Sequence, residues 1–235
     1  MKRPYDLIYF IGDSFTYAIK QADDIEGVIT TENRFSQLVA DNYKLEHVNQ
    51  AKAGQSNQWI ARTLQDDMIA YNIEDKNPLV VVSYTDTGRH EMWDNKLGEP
   101  DTCNPSQSWY KDWIMDGHDL NFSNKVSQYH INASRFLLRY LKYDFVEIFT
   151  AQHSQHLTHE TGITKEKDPL SSVEETCEHS IMEAAGFEHG CFKSIVDFHR
   201  GEDIASLGHL NVKGNQLVAN HLIRQIDKLY PGIPV

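Results

Sequence analysis

The sequence predicts an α/β fold in which helices cover both faces of a parallel β-sheet. Apolar runs of strand length alternate along the chain with longer segments whose apolar residues recur at helical spacing. Its 235 residues are enough to bury one large core, and no repeat or low-complexity linker divides them. Because 40% of the residues are hydrophobic and 24% are charged, the composition is that of a globular domain. We therefore expect residues 1–235 to form a single domain.

The first half of the chain begins with the clearest strand signal. Residues 7–11 form an unbroken apolar run, which is typical of a strand covered on both faces, and a sharp turn signal follows at Gly12-Asp13-Ser14. The next predicted elements are a helix over about 33–43, a strand over 45–49, a helix over about 56–71 and a buried strand over 79–82.

The second half is interrupted by a stretch without clear periodicity. Residues 95–122 contain prolines, glycines and three clustered aromatic residues, so we predict a long loop or a small cap insertion there. The remaining predicted elements are a helix over 123–143, a strand over 145–149, a polar loop over 152–169, a helix over about 173–185, a strand over 194–198 and a last helix over 212–229.

The charge of the chain argues against nucleic acid as a partner. Acidic residues outnumber basic ones by 34 to 22, and the net charge of −12 would repel a phosphate backbone or a densely anionic substrate. No apolar run approaches the roughly 20 residues that a membrane-spanning helix needs, so we expect no membrane partner.

The amino terminus and the cysteines favour a cytoplasmic protein. The apolar run after the first residues is too short for a secretory signal. Three widely spaced cysteines, Cys103, Cys177 and Cys191, do not form a disulfide framework, although a single bridge between Cys177 and Cys191 stays open. The oligomeric state is not readable from the sequence.

Ser14 is the first candidate for chemistry. It directly follows the first predicted strand, and ligands of open parallel sheets bind beyond the carboxyl ends of the strands. Gly12 permits a sharp turn, and the amide of Ser14 would face a developing oxyanion if a helical turn follows. Taken alone, Asp13 and Ser14 equally fit a plain helix cap.

Two further positions complete the pattern. Gly54 lies between the second strand and the next helix, where its amide would reach the same oxyanion without a side chain in the way, although a plain turn glycine also fits. His209 lies on a loop ahead of the last helix, and a serine nucleophile needs a base whose pKa is near neutrality. One of 12 histidines can also fall there by chance.

Together these features resemble the SGNH (GDSL-like) hydrolases. Gly12-Asp13-Ser14 with the next two residues is similar to the first block of that family, residues 49–54 to its second block, and His209 with Asn211 and Gly214 to its last block. The three blocks occur in the family order and span nearly the whole chain.

The resemblance implies a fold and an activity. The fold would be a flavodoxin-like three-layer α/β/α sandwich with a central parallel sheet of about five strands. Members cleave small acyl esters, commonly acetyl groups on sugars, lipids or thioesters, without a metal or organic cofactor, so we expect a small-molecule or glycan ester as substrate. Ser14 would be the nucleophile, His209 the base, and the amides of Ser14 and Gly54 the oxyanion donors.

The third block departs from the family. Its usual asparagine is absent from residues 83–89, where Thr85 or Thr87 would donate a hydroxyl to the oxyanion hole instead, or Arg89 its guanidinium. Asp13, Asp86 and Arg89 are the charged residues that we expect at the substrate, with Arg89 also able to pair with Asp86 or Glu91. Thr85, Asp86, Arg89 and Glu91 are similar to the pattern of phage-encoded members.

The acid of the triad is also altered. The family usually has an aspartate three residues before the histidine, and Ser206 occupies that position here. Asp203 would reach His209 only if the loop bends differently; otherwise a Ser-His dyad would operate, at a lower rate.

Two other functions also fit parts of the sequence. His153, His156, His159 and Glu160 are spaced so that they could bind zinc, although a stable helix is doubtful there, and Cys177, His179, His189 and Cys191 match no familiar zinc module. Alternatively, the fold would bind a glycan or a protein without catalysis through its aromatic residues Trp93, Trp109, Tyr110 and Trp113.

Overall fold

The computed structural model describes residues 5–17, 31–70, 76–85, 89–94, 98–103, 120–149, 205–206, 209–210 and 212–231. The strands in these ranges are β1 (Leu7–Ile11), β2 (Glu46–Asn49), β3 (Pro78–Tyr84), β4 (His90–Asp94), β5 (Glu99–Cys103), β6 (Asp144–Phe149), β7 (Ala205–Ser206) and β8 (His209–Leu210). The helices are α1 (Ser14–Tyr17), α2 (Phe35–Tyr43), α3 (Asn57–Ala70), α4 (Leu120–Tyr140) and α5 (Val212–Leu229), with a 3-10 turn at Thr31–Asn33.

Four strands form a parallel sheet in the order β2-β1-β3-β6. β1 lies inside this sheet, because Phe10 pairs with Asn49 of β2 on one side and with Val81 of β3 on the other. The predicted α/β fold with a central parallel sheet is therefore confirmed. The carboxyl ends of β1, β2 and β3 meet at one edge of the sheet, which is where the candidate site lies.

The core is divided into two layers by the sheet. Ile8 and Phe10 of β1 pack in one cluster together with residues of α2 and α5, and Tyr9 and Ile11 pack in a second cluster with residues of α3 and α4. All five residues of β1 are buried, which explains why its sequence is apolar without alternation. None of the described helices is long and apolar enough to cross a membrane.

Most described elements lie close to their predicted ranges. The last helix has the predicted bounds, and the other predicted helices and strands in the described ranges differ at their ends by only a few residues. The predicted loop over 152–169, helix over 173–185 and strand over 194–198 lie outside the described residues.

The stretch over 95–122 contains more regular structure than the sequence indicates. β5 pairs antiparallel with β4, with Cys103 opposite His90 and Pro100 opposite Trp93, and α4 begins at Leu120. Gly98, with a φ of +69°, adopts the left-handed conformation that tight turns favour. A proline within so short a strand hides the alternation by which strands are recognised.

Candidate active site

Ser14 is the first residue of α1, directly beyond the carboxyl end of β1, and only 4% of its surface is exposed. Asp13 caps this short helix. Its Oδ1 accepts a hydrogen bond from the Phe15 amide at 3.1 Å, and its carbonyl oxygen accepts one from the Tyr17 amide at 2.9 Å. The cap therefore exists, and it holds Ser14 at the edge of the sheet where a nucleophile is expected.

Gly12 allows the chain to pass very close to its neighbours. A Cβ atom at this position would lie 2.6 Å from Thr16 Oγ1 and 2.7 Å from the Cβ of Ser83. Only glycine fits this distance between β1, the first turn of α1 and β3. The tight Gly12-Asp13-Ser14 turn thus depends on the missing side chain.

The segment that carries Gly54 continues from β2 alongside the end of β1. The amide of Gln50 donates to the Phe10 carbonyl at 2.9 Å, and the amide of Lys52 donates to the Gly12 carbonyl at 3.1 Å. Gly54 itself has a φ of +79°, which few other residues adopt without strain. These contacts bring residues 50–55, the Gly54 turn, to residues 12–14, the Ser14 turn.

His209 reaches the same region from the far end of the sequence. β8, formed by His209 and Leu210, pairs with β7 so that Ser206 lies opposite His209. Cα atoms of β8 lie within 8 Å of Cα atoms of α1, and the Leu210 side chain packs in the same core cluster as Phe15. The structure therefore brings the backbone of the candidate base next to the helix that begins at Ser14.

The carboxylate of Asp13 lies at the centre of a buried hydrogen-bond network. Asp13 is 0% exposed, and its Oδ2 accepts hydrogen bonds from Thr85 Oγ1 at 2.7 Å and from Arg89 Nη1 at 3.2 Å. The Thr85 hydroxyl, predicted as an oxyanion donor, thus donates to Asp13 in this structure. Asp13 and Arg89, both predicted at the substrate, contact each other.

A second part of the network lies beyond Gly54. Arg89 Nη1 also donates to the carbonyl oxygen of Gln55 at 3.3 Å, and Thr102 Oγ1 donates to Gln55 Oε1 at 2.7 Å. Asn57, at the start of α3, accepts from the Thr85 amide at 2.8 Å and donates to the Thr85 carbonyl at 2.9 Å. These hydrogen bonds join the ends of β1 and β3 to the Gly54 turn and to the β4–β5 hairpin.

Sequence reasoning missed several of these residues. Gln55, Asn57 and Thr102 carry no motif, and for Gln55 and Asn57 the one available signal was their closeness in sequence to Gly54. Asn49, noted only as the start of the second block, donates through Nδ2 to the Thr16 carbonyl at 3.0 Å and anchors α1.

Several predicted residues lie outside the described ranges. They are the site residues Asp86, Thr87 and Asp203, the aromatic residues Trp109, Tyr110 and Trp113, and the candidate metal ligands His153, His156, His159, Glu160, Cys177, His179, His189 and Cys191. Within the described ranges, no group of three or more His, Cys, Asp or Glu side chains is placed to hold a metal ion. The zinc hypothesis thus stays a prediction.

Two of the groups with shifted pKa values belong to the interior and not to the Ser14 turn. Burial, together with a hydrogen bond to Asp67 at 2.6 Å, raises the pKa of Tyr9. Burial also lowers the pKa of His47, whose ring makes an edge contact with Phe10 in the core. Both pKa shifts result from burial of these side chains against the faces of the sheet.

No protein-family model matches the sequence, and no curated protein sequence matches it. The structure, in contrast, is similar to solved structures that include esterases. The psychrotrophic esterase EstA from Pseudoalteromonas sp. is 13% identical, with a TM-score of 0.50 over 95% of this chain and 98% of EstA. TesA is 10% identical, with a TM-score of 0.53 over 95% of this chain and 99% of TesA.

A third similar structure is an acetyl xylan esterase, Est2A, from the rumen bacterium Butyrivibrio proteoclasticus. It is 13% identical, with a TM-score of 0.57, and the match covers 96% of this chain but 64% of Est2A. At identities this low, the structural similarity establishes a common fold, and the chemistry has to be argued from the site. We conclude that this chain has the α/β fold shared by these esterases.

Proposed function

We propose that the protein is a serine esterase of the SGNH type that cleaves a small acyl ester, with Ser14 as nucleophile and His209 as general base. One observation carries the proposal: β8, which contains His209, packs against α1, which begins with Ser14. Residues from opposite ends of the chain thus meet at the carboxyl edge of the sheet, where such folds bind ligands.

The mechanism follows from the chemistry of these groups. Ser14 Oγ attacks the ester carbonyl carbon while His209 takes its proton, and the amides of Ser14 and Gly54 bind the oxyanion. Collapse of the tetrahedral intermediate expels the alcohol, which receives the proton from His209. Water, deprotonated by His209, then attacks the acyl-enzyme and releases the acid, which restores Ser14.

The remaining roles are assigned by position. Thr87 is proposed as a further donor to the oxyanion, because the Thr85 hydroxyl donates to Asp13 in this structure. Ser206, opposite His209 in the β7–β8 pair, or Asp203 would orient the imidazole. The similarity to phage-encoded members and the cytoplasmic location stay predictions from the sequence.

The substrate that we propose is an acetyl ester of a carbohydrate. Est2A, which has the same fold, is an acetyl xylan esterase. The net charge of −12 favours a neutral ester over a polyanionic one. Acetylated xylan and acetylated monosaccharides are therefore the natural esters to test after a chromogenic one.

The first experiment measures hydrolysis of p-nitrophenyl acetate by the wild type, Ser14→Ala and His209→Ala. Ser134→Ala is the matched control, because Ser134 is a buried serine whose hydroxyl donates within its own helix to the His130 carbonyl. We expect the Ser14 and His209 variants to lose activity by orders of magnitude and Ser134→Ala to retain it. Activity that survives Ser14→Ala and disappears with a chelator would refute the serine mechanism.

A covalent probe tests the nucleophile without reference to the natural substrate. The EstA structure was obtained with monoethylphosphonate as inhibitor. A phosphonate ester with a good leaving group should add to Ser14 Oγ, with loss of the leaving group and a matching increase in protein mass. Peptide mapping should find the adduct on Ser14 in the wild type and none in Ser14→Ala. Absence of labelling together with absence of esterase activity would favour a non-catalytic binding protein.

A further inference from the structure

Arg89 contacts both turns that carry the proposed oxyanion donors. Its Nη1 lies 3.2 Å from Asp13 Oδ2 and 3.3 Å from the carbonyl oxygen of Gln55. Asp13 directly precedes Ser14, and Gln55 directly follows Gly54. One guanidinium nitrogen therefore joins the two backbone segments whose amides would have to point at the same oxygen.

The charge of Asp13 makes this contact a strong one. Its carboxylate has no exposed surface, whereas the Arg89 side chain is 21% exposed, so the pair lies at the boundary between core and cleft. A buried carboxylate is stabilised by hydrogen bonds and a nearby cation, and here Thr85 Oγ1 and Arg89 supply them. Removing the cation would take a charged hydrogen-bond donor from a buried carboxylate, which would weaken the hold on the turn that carries Ser14.

The β4–β5 hairpin holds the other side of the bridge. Arg89 directly precedes β4, and Thr102 of β5 donates through Oγ1 to Gln55 Oε1 at 2.7 Å. Gln55, which is 7% exposed, is thus bound by Arg89 at its backbone and by Thr102 at its side chain. The β4–β5 hairpin therefore supports the Gly54 turn through Thr102 and through Arg89, the residue before β4.

We infer that Arg89 is a positioning residue that fixes the distance between the Ser14 and Gly54 amides by bridging Asp13 and the Gln55 carbonyl. Its catalytic consequence rests on the proposed esterase function. Oxyanion donors accelerate acyl transfer only when they are held in place before the charge develops, because no energy is then spent in reorganising them. A shift of the Gly54 turn relative to the Ser14 turn would weaken the transition state more than the bound ester.

Hydrogen exchange of the full chain tests the bridge without any reference to activity. We would compare Arg89→Met with Arg62→Met, since Arg62 of α3 makes an equally direct ion pair to β4, with Nη2 2.6 Å from Glu91 Oε1. We expect faster exchange in peptides over 10–17 and 50–57 in Arg89→Met and unchanged exchange in Arg62→Met. Unchanged exchange in either peptide of Arg89→Met, or an equal increase in the control, would overturn the inference.

Two gentler variants keep the test decisive if Arg89→Met does not fold. Arg89→Lys retains a cation for Asp13, but its shorter side chain would not carry the ammonium to the position of Nη1 between the two acceptors, so only the 50–57 peptide should exchange faster. Thr102→Val removes one hydroxyl from Gln55 and should affect the same peptide alone. If both variants exchange like the wild type throughout, the bridge does not hold the Gly54 turn.

Kinetics test the catalytic consequence. With p-nitrophenyl acetate we expect Arg89→Met to lower kcat by about 10²-fold, because small misplacements of catalytic groups have effects of this size, with KM nearly unchanged. Arg89→Lys should recover part of kcat. A raised KM with unchanged kcat would instead make Arg89 a substrate-binding residue and overturn the positioning role. If the wild type lacks esterase activity, the proposed function fails, whereas the exchange experiment still decides on the bridge.

Discussion

The side chain of Asn215 donates a hydrogen bond to the carbonyl oxygen of Leu210, with 3.2 Å between Nδ2 and the oxygen. Its Oδ1 accepts a hydrogen bond from the amide of Phe35 at 3.0 Å, and the residue is only 1% exposed. Leu210 directly follows His209. A single buried carboxamide therefore joins the first turn of α2 to the strand that carries the proposed base.

We predict that Asn215→Ala destabilises the protein and slows catalysis. It would leave the Phe35 amide and the Leu210 carbonyl without this partner, which typically costs about 1–3 kcal/mol for a buried group. Urea unfolding and ester hydrolysis would be measured beside Gln216→Ala, whose exposed side chain donates a hydrogen bond to Asn220 of the same helix. Equal stability of Asn215→Ala and Gln216→Ala would contradict the prediction.

Gly12→Ala should damage the turn before Ser14 by steric overlap. The new methyl group would lie 2.6 Å from Thr16 Oγ1 and 3.0 Å from the Ser83 carbonyl oxygen, so α1 or β3 must shift. Overpacking of this kind costs about 1–3 kcal/mol, and because Ser14 lies in α1, activity should fall as well. Thermal unfolding and ester hydrolysis report the two effects.

A second substitution separates steric overlap from other causes of the lost stability. Ser83→Gly, combined with Gly12→Ala, removes the Cβ atom at 2.7 Å and should recover part of the stability. Gly54→Ala is the contrasting variant, since none of the described residues lies within 4 Å of its Cβ position and the strain of a φ of +79° remains, about 1–2 kcal/mol. Full stability of Gly12→Ala would show that the turn has more room than the structure allows.

Arg135→Met should strongly destabilise the interior. Arg135 Nε lies 2.9 Å from Oε1 of Glu147, a residue of β6 that is 2% exposed and also accepts a hydrogen bond from Tyr84. Breaking a buried ion pair by removing one partner costs about 3–5 kcal/mol, because the remaining charge stays in the core. The free energy of unfolding would be measured by urea denaturation.

The control for that prediction is an exposed ion pair. Lys76 Nζ lies 2.7 Å from Glu46 Oε2, and both side chains are largely exposed, so Lys76→Met should change stability by about 0–1 kcal/mol. Glu147→Gln introduced into Arg135→Met should restore part of the loss, because it removes the buried charge that Arg135 balances in the wild type. If the two methionine variants are equally stable, burial does not govern the strength of these pairs.

His47 should make the protein less stable as the pH falls below neutrality. Burial lowers its pKa below the ordinary value of 6.5, Arg34 lowers it further, and Asp41 opposes the shift. Between the folded pKa and 6.5 the unfolded chain binds more protons, so stability is complete above 6.5 and declines as the pH falls toward the folded value.

The measurement compares urea midpoints of the wild type and His47→Gln at pH 7.5 and at pH 5.0. The variant cannot take up this proton, so its midpoint should fall less between the two pH values than that of the wild type. Identical decreases in both proteins would show that His47 does not contribute to the acid sensitivity.

Local sequence signals were sufficient for the regular framework. β1 is recognisable because a strand buried on both faces is apolar at every position, and the bounds of α5 follow from a long apolar stripe that ends before Pro231. A parallel sheet with helices on both faces then follows from the alternation of such elements. The position of Ser14 at the edge of the sheet is likewise a local consequence of β1 and Gly12.

The β4–β5 hairpin was not predictable in this way. Pro100 and short strands remove the alternation that marks a hairpin, and the pairing of Cys103 with His90 depends on contacts between separate segments. The support that Thr102 gives to Gln55 therefore has no signature in either residue.

What the sequence determined by itself is the order of the elements and the candidate groups Ser14, Gly54 and His209. The tertiary structure alone decided which partners these groups have: that β8 lies against α1, that Asp13 faces Arg89 instead of solvent, and that Asn215 joins Leu210 to Phe35. The physical reason is that strands and helices are recognised from the pattern of neighbouring residues. Hydrogen bonds of buried polar side chains depend instead on chain segments that only folding brings together.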